Sequence, residues 1–338
     1  MRRIALLLVG LAGAALVVHA AAWMLVAEAV RAGLESPGPG GETLSHRGLG
    51  LSGWPGPVVR PVEAPRLTRP PDTLVPGVVL QAERAEARVS LLSPREVRVS
   101  LVCPCRLEAT DRPGASAVMV DAERLWLELW FEGDGSPPRW RLEGRDLALV
   151  AGGMPVGVAV VRVEGERRGA AEPWLTLLFA LEGVRLPAAA ATPFGPVIRS
   201  LAGELALSGR IEPTLPAEAA LRRWRDSEGL IELRRLSLAW GPVAASAGLS
   251  LTLDRALQPT GAGTLRLANW RATIDALQSS GALSRQAAAL ARLGLGAVAR
   301  PPPGGGASVV DVPLALENRT LSAARIPLLE VPPVAWPR

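Results

Sequence analysis

The apolar run Ile4 to Val26 constrains this chain more than anything that follows it. It carries no formal charge, and His19 is its one titratable break. Arg2 and Arg3 stand before it, and Glu28 and Arg31 follow it. At 1.5 Å rise per residue such a helix measures roughly 30 Å or slightly more, the thickness of a hydrocarbon core. Arginines ahead of a span hold that end in the cytoplasm. The expected location is therefore an inner membrane, crossed once, with the bulk of the chain in the periplasm.

Two fates fit the run. A signal peptide has a shorter apolar core and a small-x-small cleavage site, and Ala20-Ala21-Ala22 supplies one. The run continues through Trp23-Met24-Leu25-Val26, however, which favours an uncleaved anchor with Trp23 at the interface. His19 fits an intramembrane proton relay or, more simply, a neutral imidazole near the outer surface. No cysteine follows the run closely, which argues against a lipoprotein.

The rest of the 338 residues can bury a substantial core, with 49% hydrophobic and 20% charged residues. The 35 glycines and 31 prolines are scattered between short apolar segments, which favours turns between strands over long helices. The basic side chains are all arginine, and the net charge is +5. Those arginines alternate with glutamates, as in Arg84 to Arg88, and never run beyond two. Aromatic stacking platforms do not interleave with them, so nucleic acid is not an expected partner.

We divide the chain into an anchor (1–30), a linker with a first strand (31–77) and a β-rich extracytoplasmic domain (78–338). The Pro-rich stretch 57–76 reads as irregular or edge strand. Beyond Val78, alternation with period two dominates. Ala85, Ala87, Val89 and Leu91 share a face, Ser93-Pro94 marks a turn, and Val97, Val99, Leu101 and Cys103 return. Leu125, Leu127, Leu129 and Phe131 oppose Trp126, Glu128 and Trp130. A turn is expected at 133–138. Later segments repeat the pattern at Leu205–Ile211, Leu249–Leu253, Leu265–Leu267 and Val310–Leu316. Between Leu233 and Leu236 the phase slips by one residue, the mark of a β-bulge.

Two helical stretches interrupt the strands. One is Ala217 to Arg225. The other is Trp270 to Ala299, broken near Ser280-Gly281, with a stripe of Ile274, Leu277, Leu283, Ala287, Leu290 and Leu293. A loop is expected at 301–306 and an extended tail from Ile326. The fold class is thus mainly β: a long antiparallel meander forming a curved sheet or half-barrel groove, with a C-terminal helical pair and one N-terminal transmembrane helix.

Motifs for chemistry are sparse. Cys103-Pro104-Cys105 is the one thiol pair, and in an oxidising compartment it reads as a strained disulfide, two inert thiols or a redox pair. The only histidines are His19 and His46, too few for a Ser-His-Asp arrangement or a metal site. No phosphate-binding glycine loop precedes a helix. Trp126 and Trp130 read as sheet packing or a ligand platform. We therefore assign no catalytic, cofactor-binding or metal residue and expect no enzyme.

The anchor followed by Ser45 to Pro55, an alternating segment ending in Gly53-Trp54-Pro55, resembles the opening of an uncharacterised bacterial family, domain of unknown function 2125. Val89 to Pro94, Leu249 to Asp254, Gln258 to Gly261, Leu265 to Trp270 and Val312 to Pro332 resemble its later segments. Trp54 stands where the family pattern leads us to expect phenylalanine. The family implies no catalytic residues. The strand, aspartate and turn pattern also resembles AsmA-like envelope proteins, which implies an inner-membrane protein with an apolar sheet surface that holds lipid. The expected partners are the inner membrane and a lipid, acyl chain or lipoprotein. The alternative is a scaffold with a filled core and no ligand.

Overall fold

The computed structural model describes residues 2–38, 40–72, 77–109, 117–133, 137–169, 172–190, 192–212, 215–300, 308–324, 326–334 and 336, without the side chains of 2–12 and 328. The chain is mainly β, the strand pairings among the described residues are antiparallel, and it forms two compact units that meet in sequence at 142/143. The loop expected at 301–306 and the centre of the turn at 133–138 lie outside the described residues, as does part of the tail.

The first unit opens with α1 (Arg2–Glu35), followed by β1 (Thr43–Ser45), β2 (Gly48–Leu49), β3 (Val58–Glu63), β4 (Arg66–Arg69) and β5 (Val78–Gln81). Next come β6 (Arg84–Ser90), β7 (Ser93–Val102), β8 (Cys105–Ala109) and β9 (Val118–Trp130). The stretch 57–76 is a correction to the sequence reading. It contains β3, which is paired on both sides, with β2 and with β6. Val58, Val59 and Val62 are buried there. Pro61 cannot donate the ladder bond that would reach Gly50 O. The Arg60 guanidinium donates to that oxygen instead, at 3.2 Å, so the proline is accommodated inside a core strand.

α1 is long and apolar enough to cross a membrane, and its later turns belong to the core of this unit. Trp23 and Ala27 are buried against Val58, with Val26 and Leu91 alongside. Trp23 Nε1 donates to Gly56 O at 3.0 Å, and buried Arg60 donates to Ala27 O at 2.8 Å. Cys103 and Cys105 are joined by a disulfide that links the ends of β7 and β8.

The chain passes along β10 (Arg139–Ala151) into the second unit. There β11 (Met154–Arg167), β12 (Leu175–Arg185) and β13 (Val197–Ser208) precede α2 (Ala217–Asp226). Then follow β14 (Leu230–Trp240), β15 (Val243–Leu253), β16 (Pro259–Ala268), α3 (Trp270–Ser279), α4 (Arg285–Val298), β17 (Val310–Glu317), β18 (Thr320–Ala323) and β19 (Ile326–Glu330). Each strand from β11 to β19 pairs with the next, so this part is an unbroken meander. The expected bulge is present. The register shifts between Leu233 and Leu236, and Arg235 takes a φ of 50°.

The helices form where the apolar period changes from 2 to 3.6. α2 buries Ala217, Ala220, Leu221 and Trp224, and its Glu218 and its Arg223 and Arg225 suit the helix dipole at the two ends. Ser284 caps α4 by accepting from Ala287 N at 3.1 Å. The stripe expected on this pair is corrected at its end. Leu290 and Leu293 are 67% and 73% exposed, and Ala288, Ala291 and Leu295 turn inward instead. Alanine at 288 lets the helix come close to Trp270 and Val310, which a leucine there would prevent.

Candidate functional site, an apolar sheet face

The strand registers of the second unit bring its leucines into rungs. Leu177 lies beside Leu205, Leu205 beside Leu233, and Leu233 beside Leu249. Gly263 comes next, then Leu314. A second rung runs through Leu175, Leu207, Ile231 and Leu251 to Gly261 and Leu316. A third runs through Leu181, Leu201, Leu238, Ala245, Leu267 and Val310. Side chains directly opposite on neighbouring strands share a face, so these rungs make one apolar surface several strands wide.

The bulge at Arg234–Arg235 is what keeps that surface continuous. Without the extra residue, Leu236 and Leu238 would point to the polar side, because a one-residue slip reverses every side chain. Gly203 has a similar part. A Cβ there would lie 2.7 Å from the Phe179 ring, so glycine leaves space for the ring across the strand pair.

Helices cover the two ends of this face. At one end α2 packs Leu221 and Trp224 with Leu207, Ile231, Leu253 and Leu257. Trp224 Nε1 donates to Ser208 O at 2.8 Å and holds the helix down. At the other end α3 and α4 bury Trp270, Ile274 and Ala288 with Leu267, Val310 and Val312. Between these clusters Leu177, Leu205, Leu233, Leu249 and Leu314 are all only half-buried.

The opposite face carries serine, alanine and ion pairs. A cavity of about 400 Å³ opens there beside Arg162, Glu164, Glu204 and Arg235. Glu204 is 8% exposed and is held by Arg234 at 3.5 Å and by Arg235. Arg162 reaches Glu182 at 3.7 Å and Glu143 at 4.0 Å. The charges are spent on one another, so this cavity offers no unsatisfied group to a ligand.

The residues singled out from the sequence fall elsewhere. Cys103 and Cys105 form their disulfide in the first unit, with Cys105 fully buried. His19 Nε2 lies 2.8 Å from Pro55 O, so that nitrogen carries the proton and donates to the carbonyl. His46 is half-buried. Among the described residues no group of three or more His, Cys, Asp or Glu is placed to hold a metal. Trp130 is covered by Arg139 at 4.5 Å and Arg141 at 5.6 Å, and Glu128 beside it is buried and paired with Arg98 and Arg141. Trp130 thus belongs to a packed, charge-covered surface, and Trp126 is half-buried on the same strand. Sequence reasoning missed Arg60, whose only signal was a lone arginine among valines.

Residues 20–332 match the model of a family described as an uncharacterised protein conserved in bacteria, DUF2125. The chain belongs to that family. No curated protein matches it in sequence. Membership of DUF2125 brings no assigned residue to the leucine rungs, so their role rests on their geometry.

Proposed function

We propose that this DUF2125 protein is a membrane-anchored envelope protein that holds an acyl chain or lipid, or the acylated end of a lipoprotein, on the apolar face of its second unit. One observation carries the reading: apolar rungs run from β12 to β17, helices cover only their ends, and the middle is half-buried. Monomeric proteins rarely leave contiguous apolar patches beyond roughly 300–600 Å² in water. A chain of methylene groups is the occupant that such a surface suits, at about 0.8 kcal/mol per CH₂ removed from water. The polar side of the same sheet is already neutralised by its own ion pairs, which leaves the apolar side as the binding side.

The apolar α1, the arginines ahead of it and the burial of Trp23 and Ala27 in the first unit support retention in the inner membrane, with the sheet on the periplasmic side. The resemblance to AsmA-like envelope proteins supports the same reading. A non-enzymatic role is part of the proposal.

The test uses the full chain in nanodiscs made with a phospholipid bearing a diazirine on its acyl chain. After photolysis, mass spectrometry maps the adducts. Adducts on peptides holding Leu205, Leu233 and Leu249, lost in Leu233→Glu, are expected. Adducts confined to α1 would sink the proposal. A second reading, an interaction scaffold without a lipid, is favoured by the outward Leu290, Leu293 and Val298 of α4. It predicts unmodified rungs and a protein cross-link to α4.

A further inference from the structure

α1 and β3 run side by side in the same direction. Ala27 meets Arg60, Trp23 meets Gly56, and His19 meets Pro55. The helix therefore leaves the sheet at the end where β3 begins. Val58 is paired with Val89, so β6 ends there as well, and the Leu91–Leu92 turn projects from the same edge.

Large apolar side chains lie exposed at that edge, beside Ser90, Ser93 and Arg95. Trp54 lies tilted against His19 with ring centroids 5.2 Å apart and meets Trp23 edge-on at 5.7 Å, yet it is 46% exposed. Leu92 is 97% exposed, although its neighbour Leu91 packs with the Trp23 cluster. Leu16, Val17 and Val18 of α1, which lie beyond this edge, are also bare.

Helix length decides where a bilayer would begin. From Ile4 to His19 the rise is only about 24 Å, whereas the hydrocarbon core is about 30 Å thick. The span closes only if residues up to about Trp23 lie at or below the boundary. Those are the residues against which Trp54 and the turn are packed. We infer that this end of the first unit, loop 53–57 and the Leu91–Leu92 turn, sinks into the interfacial layer of the bilayer that α1 crosses. Trp54, backed by the buried Trp23, is the aromatic anchor at the headgroup level, and Leu92 enters as an apolar wedge. The inference rests on the anchor reading of α1 and is independent of any ligand on the leucine rungs.

Site-directed spin labelling of the full chain in nanodiscs of phosphatidylethanolamine and phosphatidylglycerol tests it. The labels are placed one at a time at Leu92→Cys, Leu16→Cys and Met154→Cys without reductant, so that Cys103 and Cys105 stay paired. Leu92 is almost fully exposed, so its replacement removes no core contact. Collisions with oxygen report lipid, and collisions with a nickel chelate report water. The label at 92 is expected to favour oxygen several-fold over the label at 154, approaching the value at 16. A label at 92 that matches 154 while 16 remains in lipid overturns the seat, leaves the anchor standing and assigns the edge to a soluble partner. A label at 16 in water overturns the anchor reading and this inference with it.

Discussion

Val58, Val62, Ala85, Ala87 and Val89 of the first unit are buried almost completely, whereas Leu205, Leu233 and Leu249 of the second keep part of their surface in water. Both sets alternate along strands and both are matched by their neighbours across the ladder. The cover differs. In the first unit α1 packs along β3 and closes the face with Trp23 and Ala27. In the second, α2 and the α3–α4 pair occupy only the ends of the rungs. Alternation therefore determines which side of a sheet is apolar, and the placement of helices determines whether that side becomes core or stays partly in water.

Substitutions can break this contrast in order of size. Trp23→Ala removes a buried indole and its bond to Gly56, and should cost about 3–5 kcal/mol of stability for the first unit. Urea unfolding followed by a probe in that unit checks it, and a loss below about 1 kcal/mol would mean that α1 is not part of the core. Arg60→Ala removes the donor to Gly50 O and the second donor to Ala27 O, which keeps its bond within the helix. Hydrogen bonds to charged groups contribute about 1.5–3 kcal/mol each, so a loss near the lower end is expected even if water reaches one carbonyl.

Leu233→Ala should cost only about 1–2 kcal/mol in lipid-free protein, since a leucine that keeps part of its surface in water loses less than its full transfer energy. The same change should weaken acyl cross-linking clearly. A cost of about 3 kcal/mol or more would mean that the face is packed solid. The smallest effect concerns Asp311, whose carboxyl is held below the ordinary aspartate range, first by the hydrogen bond from Arg266 and then by its charge and that of Arg300. A lowered pKa means that this contribution is present at neutral pH and is lost as pH falls through the folded value. In Arg266→Gln the carboxyl should titrate at higher pH by NMR, with little change in stability at pH 7, as expected for an exposed pair.

Most of the strands were legible because a period of two survives in the local sequence, and the slip at Leu233–Leu236 even located the bulge. β3 was not, because Pro57, Pro61 and Pro65 mask it, and its accommodation depends on Arg60 reaching Gly50. The turn expected at Ser93-Pro94 falls instead at Leu91–Leu92, with Ser93 and Pro94 already in β7. On α4 both Leu290–Leu293 and Ala288–Ala291–Leu295 have helical spacing, and only the small volume of Ala288 against Trp270 selects the inward one. The rungs of the candidate site were out of reach for a different reason. They depend on registers between strands separated by loops and helices, and no local pattern encodes them.

The bond from Trp23 to Gly56 and the bond from Arg60 to Ala27 also limit what can be exchanged in this molecule. A leader or anchor that serves only to address a protein can be replaced by any segment of equal length and hydropathy. Here a replacement that omits Trp23 and Ala27 would deliver the chain to its destination with a hole in its first unit. The apolar run and the core of the first unit overlap between His19 and Ala27, so the segment cannot be exchanged without its domain.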